Sequence, residues 1–147
     1  MSTSDSRPST ARRSRTVPQV LALVIGVVYL LIGLLGFFVT GFTGWFEHDP
    51  DQTLLGFAIN PFHNVVHLVI GAAGVALASS DSRARLYGWL LVVGYGATLV
   101  YGFFVAGQDT GNILNINVAD NWLHGFSVLA GLATALWPRH RDRDVSR

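Results

Sequence analysis

The chain has 147 residues, half of them hydrophobic and only 13% charged, with a net charge of +1 and a mean hydropathy of +0.42. Soluble domains carry about 25% charged residues, so this composition argues against an ordinary soluble globule and for a chain that meets a bilayer. Cysteine is absent, which excludes disulfides, thiolate zinc sites and cysteine nucleophiles.

Residues 1–16 are rich in Ser, Thr and Arg and have almost nothing to bury, so a disordered basic tail is expected there. An apolar stretch follows over about 18–40. It exceeds the roughly 7–15 residues of a signal-peptide core, and no small-x-small cleavage pattern follows it before Phe42. It reads as a retained membrane anchor.

The connection 41–60 carries Glu47, Asp49 and Asp51 with His48 among them, which reads as a solvated acidic loop. Asn60-Pro61 then forms an N-cap with proline at the first helical position, opening a second helix at about 61–79. A short basic loop, 80–85, leads to a third apolar stretch at about 86–106. A further connection, 107–118, precedes a fourth helix at about 119–137. There Asn117 caps, and Asp120 occupies the position where a carboxylate favours the positive end of the helix. Trp137-Pro138 ends that helix, and 139–147 form a charged tail.

All ten basic residues are arginines, at positions 7, 12, 13, 15, 83, 85, 139, 141, 143 and 147, and none lies in the two acidic connections. By the positive-inside rule both termini and the 80–85 loop are cytoplasmic and the acidic connections face outward. Trp45, Phe46 and Trp122 would then sit in the outer aromatic belt. The expected architecture is all-α: an integral membrane four-helix bundle over residues 17–138, in the inner membrane of a bacterium, with the lipid bilayer as its first partner. Four helices enclose a small interior, so a homo-oligomer or another membrane protein is a candidate neighbour. The basic tails lack the aromatic interleaving of a nucleic-acid site.

A polar signature heads both the second and the fourth helix. INPFHNVVHLVIGAAGVAL recurs 57 residues later as INVADNWLHGFSVLAGLATAL, matching Asn60 with Asn117, Asn64 with Asn121, His67 with His124 and Gly74 with Gly131. His63 falls opposite Asp120. The first and third helices match at an offset of 66, through Tyr29 and Tyr95, Gly36 and Gly102, Phe37 and Phe103, Phe38 and Phe104. The unit is therefore a helical hairpin repeated in tandem. Both copies have one orientation, which implies a pseudo-twofold axis along the membrane normal. The NPFHNVVHL and ADNWLHG motifs resemble a family of small four-transmembrane-helix proteins of unknown function, common in actinobacteria. That resemblance implies the same topology over about 18–137 and lends no activity.

Positions 60, 63, 64, 67, 71 and 74 share one helical face, as do 117, 120, 121, 124, 127 and 131. Each face is polar towards the outside and small towards the cytoplasm, so the inner halves can approach closely. Several readings follow. Asn60, Asn117 and Asp120 cap helices, while Asn64, Asn121 and the histidines hydrogen-bond between helices, with His63 pairing with Asp120. In that case the protein is a structural or accessory membrane component with a buried polar cluster. Alternatively His67 and His124, with His63 and Asp120, ligate a haem iron, zinc or copper, and the asparagines orient the imidazoles. A small proton or solute transporter is the third reading. Ser127 near His124 is no catalytic triad, because nucleophile and base share one helix, and enzyme chemistry has no other support in the sequence.

Overall fold

The structure is a computed structural model that describes residues 14–139. The tail expectations for 1–13 and 140–147, with His140, lie outside the described residues. Four helices carry the described fold: α1 (Val17–Thr40), α2 (Pro61–Leu77), α3 (Asp81–Val105) and α4 (Val118–Leu136). Helices α1 and α3 are each long and apolar enough to cross a membrane.

Two starts follow the expected capping, and a third cap, not expected, lies at α1. Asn60 accepts from the amide of His63 at 2.9 Å, with Pro61 behind it. Asn117 accepts from Asp120 N at 3.0 Å, and the Asp120 carboxylate accepts from Asn117 N at 2.8 Å, a reciprocal capping box. At α1, Gln19 reaches back to Thr16 N at 3.0 Å. The start of α3 differs from expectation. Ser80 caps it and Asp81 enters its first turn, so Arg83 and Arg85 lie inside the helix and the loop shrinks to a tight turn. The physical reason is local. Asp81 accepts from Arg85 one turn on at 2.7 Å, while Arg85 Nη1 donates to the carbonyls of Ala135 and Trp137 at 3.0 and 2.7 Å. One arginine thereby satisfies two of the orphan carbonyls at the end of α4.

Helix α1 packs chiefly on α2, and α3 on α4, with lighter contacts between the two pairs. Thr16 donates to Asp81 and Gln19 to the Ala78 carbonyl, so the start of α1, the turn from α2 to α3 and the end of α4 share one end. Both long connections occupy the other. Close helix contact depends on glycine. A Cβ on Gly36 would fall onto the Asn64 amide, and one on Gly102 onto the Asn121 amide. The buried aromatic centre is Tyr29, Tyr87 and Tyr95, packed with Ala22, Ala84 and Leu91.

The first connection holds a feature the sequence reading lacked, an antiparallel pair of two-residue strands, β1 (Thr53–Leu54) and β2 (Phe57–Ala58). Its turn, Leu55-Gly56, has both φ angles positive, at 56° and 88°. That is the hairpin-turn requirement usually met by Asn-Gly or Asp-Gly, and Leu at the first position hid it.

Candidate functional site

Two polar layers occupy the end of the molecule where α2 and α4 begin. The upper layer ties the connections to the helix heads. Asn115 is fully buried. Its amide donates to the carbonyls of Asp49 and Ile59, both at 2.8 Å. Its Oδ1 accepts from His48 Nδ1 at 2.7 Å and from Asp49 N at 3.1 Å. Its backbone is left-handed, with φ at 53°, a conformation asparagine tolerates better than most residues. Asn112 holds both backbone groups of Ile116. Asn60 donates across to the carbonyls of Glu47 and Ile113, and Asn117 to that of Gly56. His48, expected in a solvated acidic loop, is half-buried and joins the two connections. Asp49 caps its own turn: Gln52 and the Asp51 amide donate to its carboxylate and hold its pKa below the ordinary value.

Asn112 and Asn115 are the residues the sequence reading missed, and His48 was read only as part of a solvated loop. A signal was present, since three asparagines fall within six residues at 112, 115 and 117. Asparagine is common in turns for its side-chain hydrogen bonds and left-handed backbone.

The lower layer lies one helical turn further in and is built from α2, α3 and α4. His63, Asp120 and His124 are 3%, 1% and 1% exposed, and one potential ligand atom from each lies within 4.8 Å of the other two. Asp120 Oδ2 accepts from Asn117 N and Ala58 N at 2.8 and 3.1 Å. The same carboxylate thus caps α4, anchors β2 and faces two imidazoles. His67, also buried, stands outside this trio. Its ring centroid is 4.4 Å from His63 and 5.2 Å from Tyr29. The ring centroids of His63 and His124 are 6.3 Å apart. The residues that come together are therefore His63 and His124 with Asp120, and the expected leading pair of His67 and His124 is not the one with a carboxylate beside it. The reason is helical phase: His63 and His67 share a face, and spacing alone cannot rank them.

The expected pairing of His63 with Asp120 is not made as a direct contact. Arg85 with Asp81 is the one ion pair within 4.0 Å among the described residues. Nδ1 of His63, His67 and His124 is buried without a hydrogen-bond partner among those residues. Asn64 reaches Thr40 Oγ1 at 3.0 Å, while its Oδ1 and that of Asn121 have no such partner. Each asparagine packs against a glycine of the neighbouring helix instead of orienting an imidazole.

Tyrosines flank the histidines on both sides. Tyr29 and Tyr95 stack at 5.3 Å, and Tyr95 lies 5.5 Å from His124. Ser127 donates to the Leu123 carbonyl at 2.7 Å, so Tyr29 donates to Ser127 Oγ at 2.6 Å. The Tyr95 hydroxyl has no partner. A cavity of about 120 Å³ touches all three histidines, Tyr95 and Thr98. Organic ligands occupy roughly 300–1,000 Å³, so the space does not accommodate a porphyrin, and the donors fit a bare ion better than haem.

A family model described as a domain of unknown function, DUF4383, matches residues 19–137. The chain belongs to the DUF4383 family. The match spans all four helices and both polar layers, so cap and histidine pocket lie within the DUF4383 domain. Comparisons with curated proteins and with solved structures gave no match.

Proposed function

We propose that this is a multi-pass membrane protein whose outer half holds one divalent transition-metal ion between His63, Asp120 and His124, beneath a structural cap of asparagines. The observation that carries the metal reading is the trio itself: two buried imidazoles with unpartnered nitrogens and a carboxylate, with ligand atoms within 4.8 Å. Burying an unpaired polar group costs about 1–3 kcal/mol in protein mutational data. A clamp role explains the cap asparagines Asn60, Asn112, Asn115 and Asn117, which have partners, and leaves the imidazoles unexplained. Ligand atoms about 2.0–2.1 Å from one ion sit roughly 3–3.5 Å apart, so modest side-chain rotation closes the set.

Membrane insertion is supported by what the helices expose. Phe38 is 88% exposed, Phe104 77% and Trp122 70%, a display that soluble monomers avoid. Arg15, Arg83, Arg85 and Arg139 gather at one end and Glu47, Asp49 and Asp51 at the other, which favours a cytoplasmic basic end and an outward cap. A bacterial inner membrane fits this charge arrangement.

The tandem repeat is supported by matched contacts. Asn64 on Gly36 corresponds to Asn121 on Gly102, and Tyr29 on His67 corresponds to Tyr95 on His124. This is the pairing expected of two hairpins about a pseudo-twofold axis. The trio breaks that symmetry at the helix heads, where His63 is matched by Asp120.

The test is equilibrium dialysis of detergent-purified protein against zinc, iron(II) and copper(II). One ion per chain is expected, with binding lost in His63→Ala and His124→Ala and weakened in Asp120→Asn. Wild type and all three variants equally free of metal would sink the reading.

A further inference from the structure

The geometry points to a second ligand at this site. We propose that the metal held by His63, Asp120 and His124 binds a neutral two- or three-atom molecule of the dioxygen or nitric oxide class, delivered from the lipid side through a portal at Gly94. The inference rests on the metal reading above and adds an exogenous ligand and its route.

Two imidazoles and one carboxylate fill only three positions of a metal's coordination sphere. Such a set is the donor pattern of iron(II) sites that keep positions open for small molecules, and of zinc sites with one exchangeable position. Here the unfilled side has somewhere to face. The 120 Å³ cavity is bordered by His63 and His124 themselves. A water needs about 10–15 Å³ of such space, so a two- or three-atom ligand fits easily, while the volume is below the roughly 300 Å³ of ordinary organic-ligand pockets.

The lining sets the chemistry of the occupant. Apart from the imidazoles, Thr98 and Tyr95, the walls are apolar, with Val66, Ile70 and Leu114 among them, and no charged side chain borders the space. Thr98 spends its hydroxyl on the Gly94 carbonyl at 2.9 Å. Tyr95 borders the cavity and is 3% exposed. Tyr29, stacked against it, is already committed to Ser127.

A groove at the helix surface adjoins the cavity. A groove of about 200 Å³ between α2 and α3 is lined by Val69, Ala73 and Leu90 and shares Ile70, Gly94 and Tyr95 with the cavity. A Cβ built on Gly94 meets nothing within 4 Å. Gly94 borders both spaces and puts no side chain between them, which makes it the place for the portal, whereas Gly36 and Gly102 serve helix contact. An apolar groove passes neutral molecules that dissolve in lipid and rejects hydrated ions, which would lose their water there.

The experiment uses full-length protein in detergent, loaded anaerobically with iron(II) and exposed to nitric oxide, with electron paramagnetic resonance as readout. The high-spin iron–nitrosyl signal is expected in the wild type. Gly94→Leu, whose side chain has room, should keep iron stoichiometry and slow signal formation at least tenfold. Iron bound without a nitrosyl signal would overturn this inference and leave the metal reading standing. Equal rates in wild type and Gly94→Leu would overturn the portal. Failure to bind any metal would remove the reading on which both rest.

Discussion

The asparagine cap and the histidine pocket are neighbours, one helical turn apart, and both are buried and polar. In the cap, Asn115 places its two amide donations and two acceptances on protein atoms, and Asn60, Asn112 and Asn117 also bridge backbone to backbone. In the pocket three imidazoles present nitrogens with no protein partner. A hydrogen-bonded layer needs no further component to be stable. An unpaired one carries a standing cost that a bound ion would remove, since ligation satisfies the nitrogens. The contrast separates residues that shape the protein from residues available for chemistry, although all of them head the same two helices.

The largest expected effect breaks the cap. Asn115→Leu leaves two carbonyls and two donors without partners and places a branched side chain at positive φ. At about 1–3 kcal/mol for a buried unsatisfied group, the loss should be roughly 3 kcal/mol or more, read as a fall in thermal midpoint in detergent. Asn115→Gly should recover only the backbone part. Folded protein of either variant should still bind metal.

Next comes the reverse experiment. His63→Leu and His124→Leu should abolish metal binding while leaving the metal-free protein as stable as the wild type or more so, because replacing an unsatisfied polar group by an apolar one of similar size is close to neutral or favourable. A fall of several degrees in the metal-free midpoint would assign the histidines to the clamp and erase the distinction. Metal added to the wild type should raise its midpoint, by the linkage of binding to folding.

The helix seam offers a matched pair. Gly36→Ala and Gly102→Ala each press a methyl group onto an asparagine amide, and overpacking of this kind costs about 1–3 kcal/mol. Similar losses from the two would favour the tandem repeat. A loss confined to one would show that the halves have diverged.

The smallest effect is at the rim of the cap. Asp49 has its pKa held below the ordinary 3.8 by the donors from Gln52 and Asp51. A carboxyl depressed on folding stabilises the fold above its unfolded pKa and loses that contribution as pH falls through the folded value. Faster exchange of the Asp51 and Gln52 amides is therefore expected below about pH 3.8 relative to neutral behaviour in Asp49→Asn. Because the group is exposed, little change in global stability should accompany it.

Much of this organisation was legible in the residues. Pro61, Asn60 and Asn117 marked the two helix starts, because capping is a local matter of three or four residues. The start of α3 was misplaced by five residues because Arg83 and Arg85 looked like loop charges, yet Ser80, Asp81 and the Arg85 contact to α4 make them helical. The cap was not legible. Asn115 bonds to Asp49 and Ile59, 66 and 56 residues away, and no local pattern encodes such pairing. In the pocket the four candidates were visible, but His67 ranked above His63 because repeat symmetry pairs His67 with His124. The carboxylate that decides the matter, Asp120, falls opposite His63 in that alignment.

X-ray absorption at the metal edge of purified, iron- or zinc-loaded protein tests the central claim most directly. Two imidazoles and additional oxygen ligands are expected, unchanged in His67→Ala, whereas His63→Ala should retain no metal to give a spectrum. A spectrum that loses an imidazole in His67→Ala and none in His63→Ala, or one without imidazole ligands, would contradict the account.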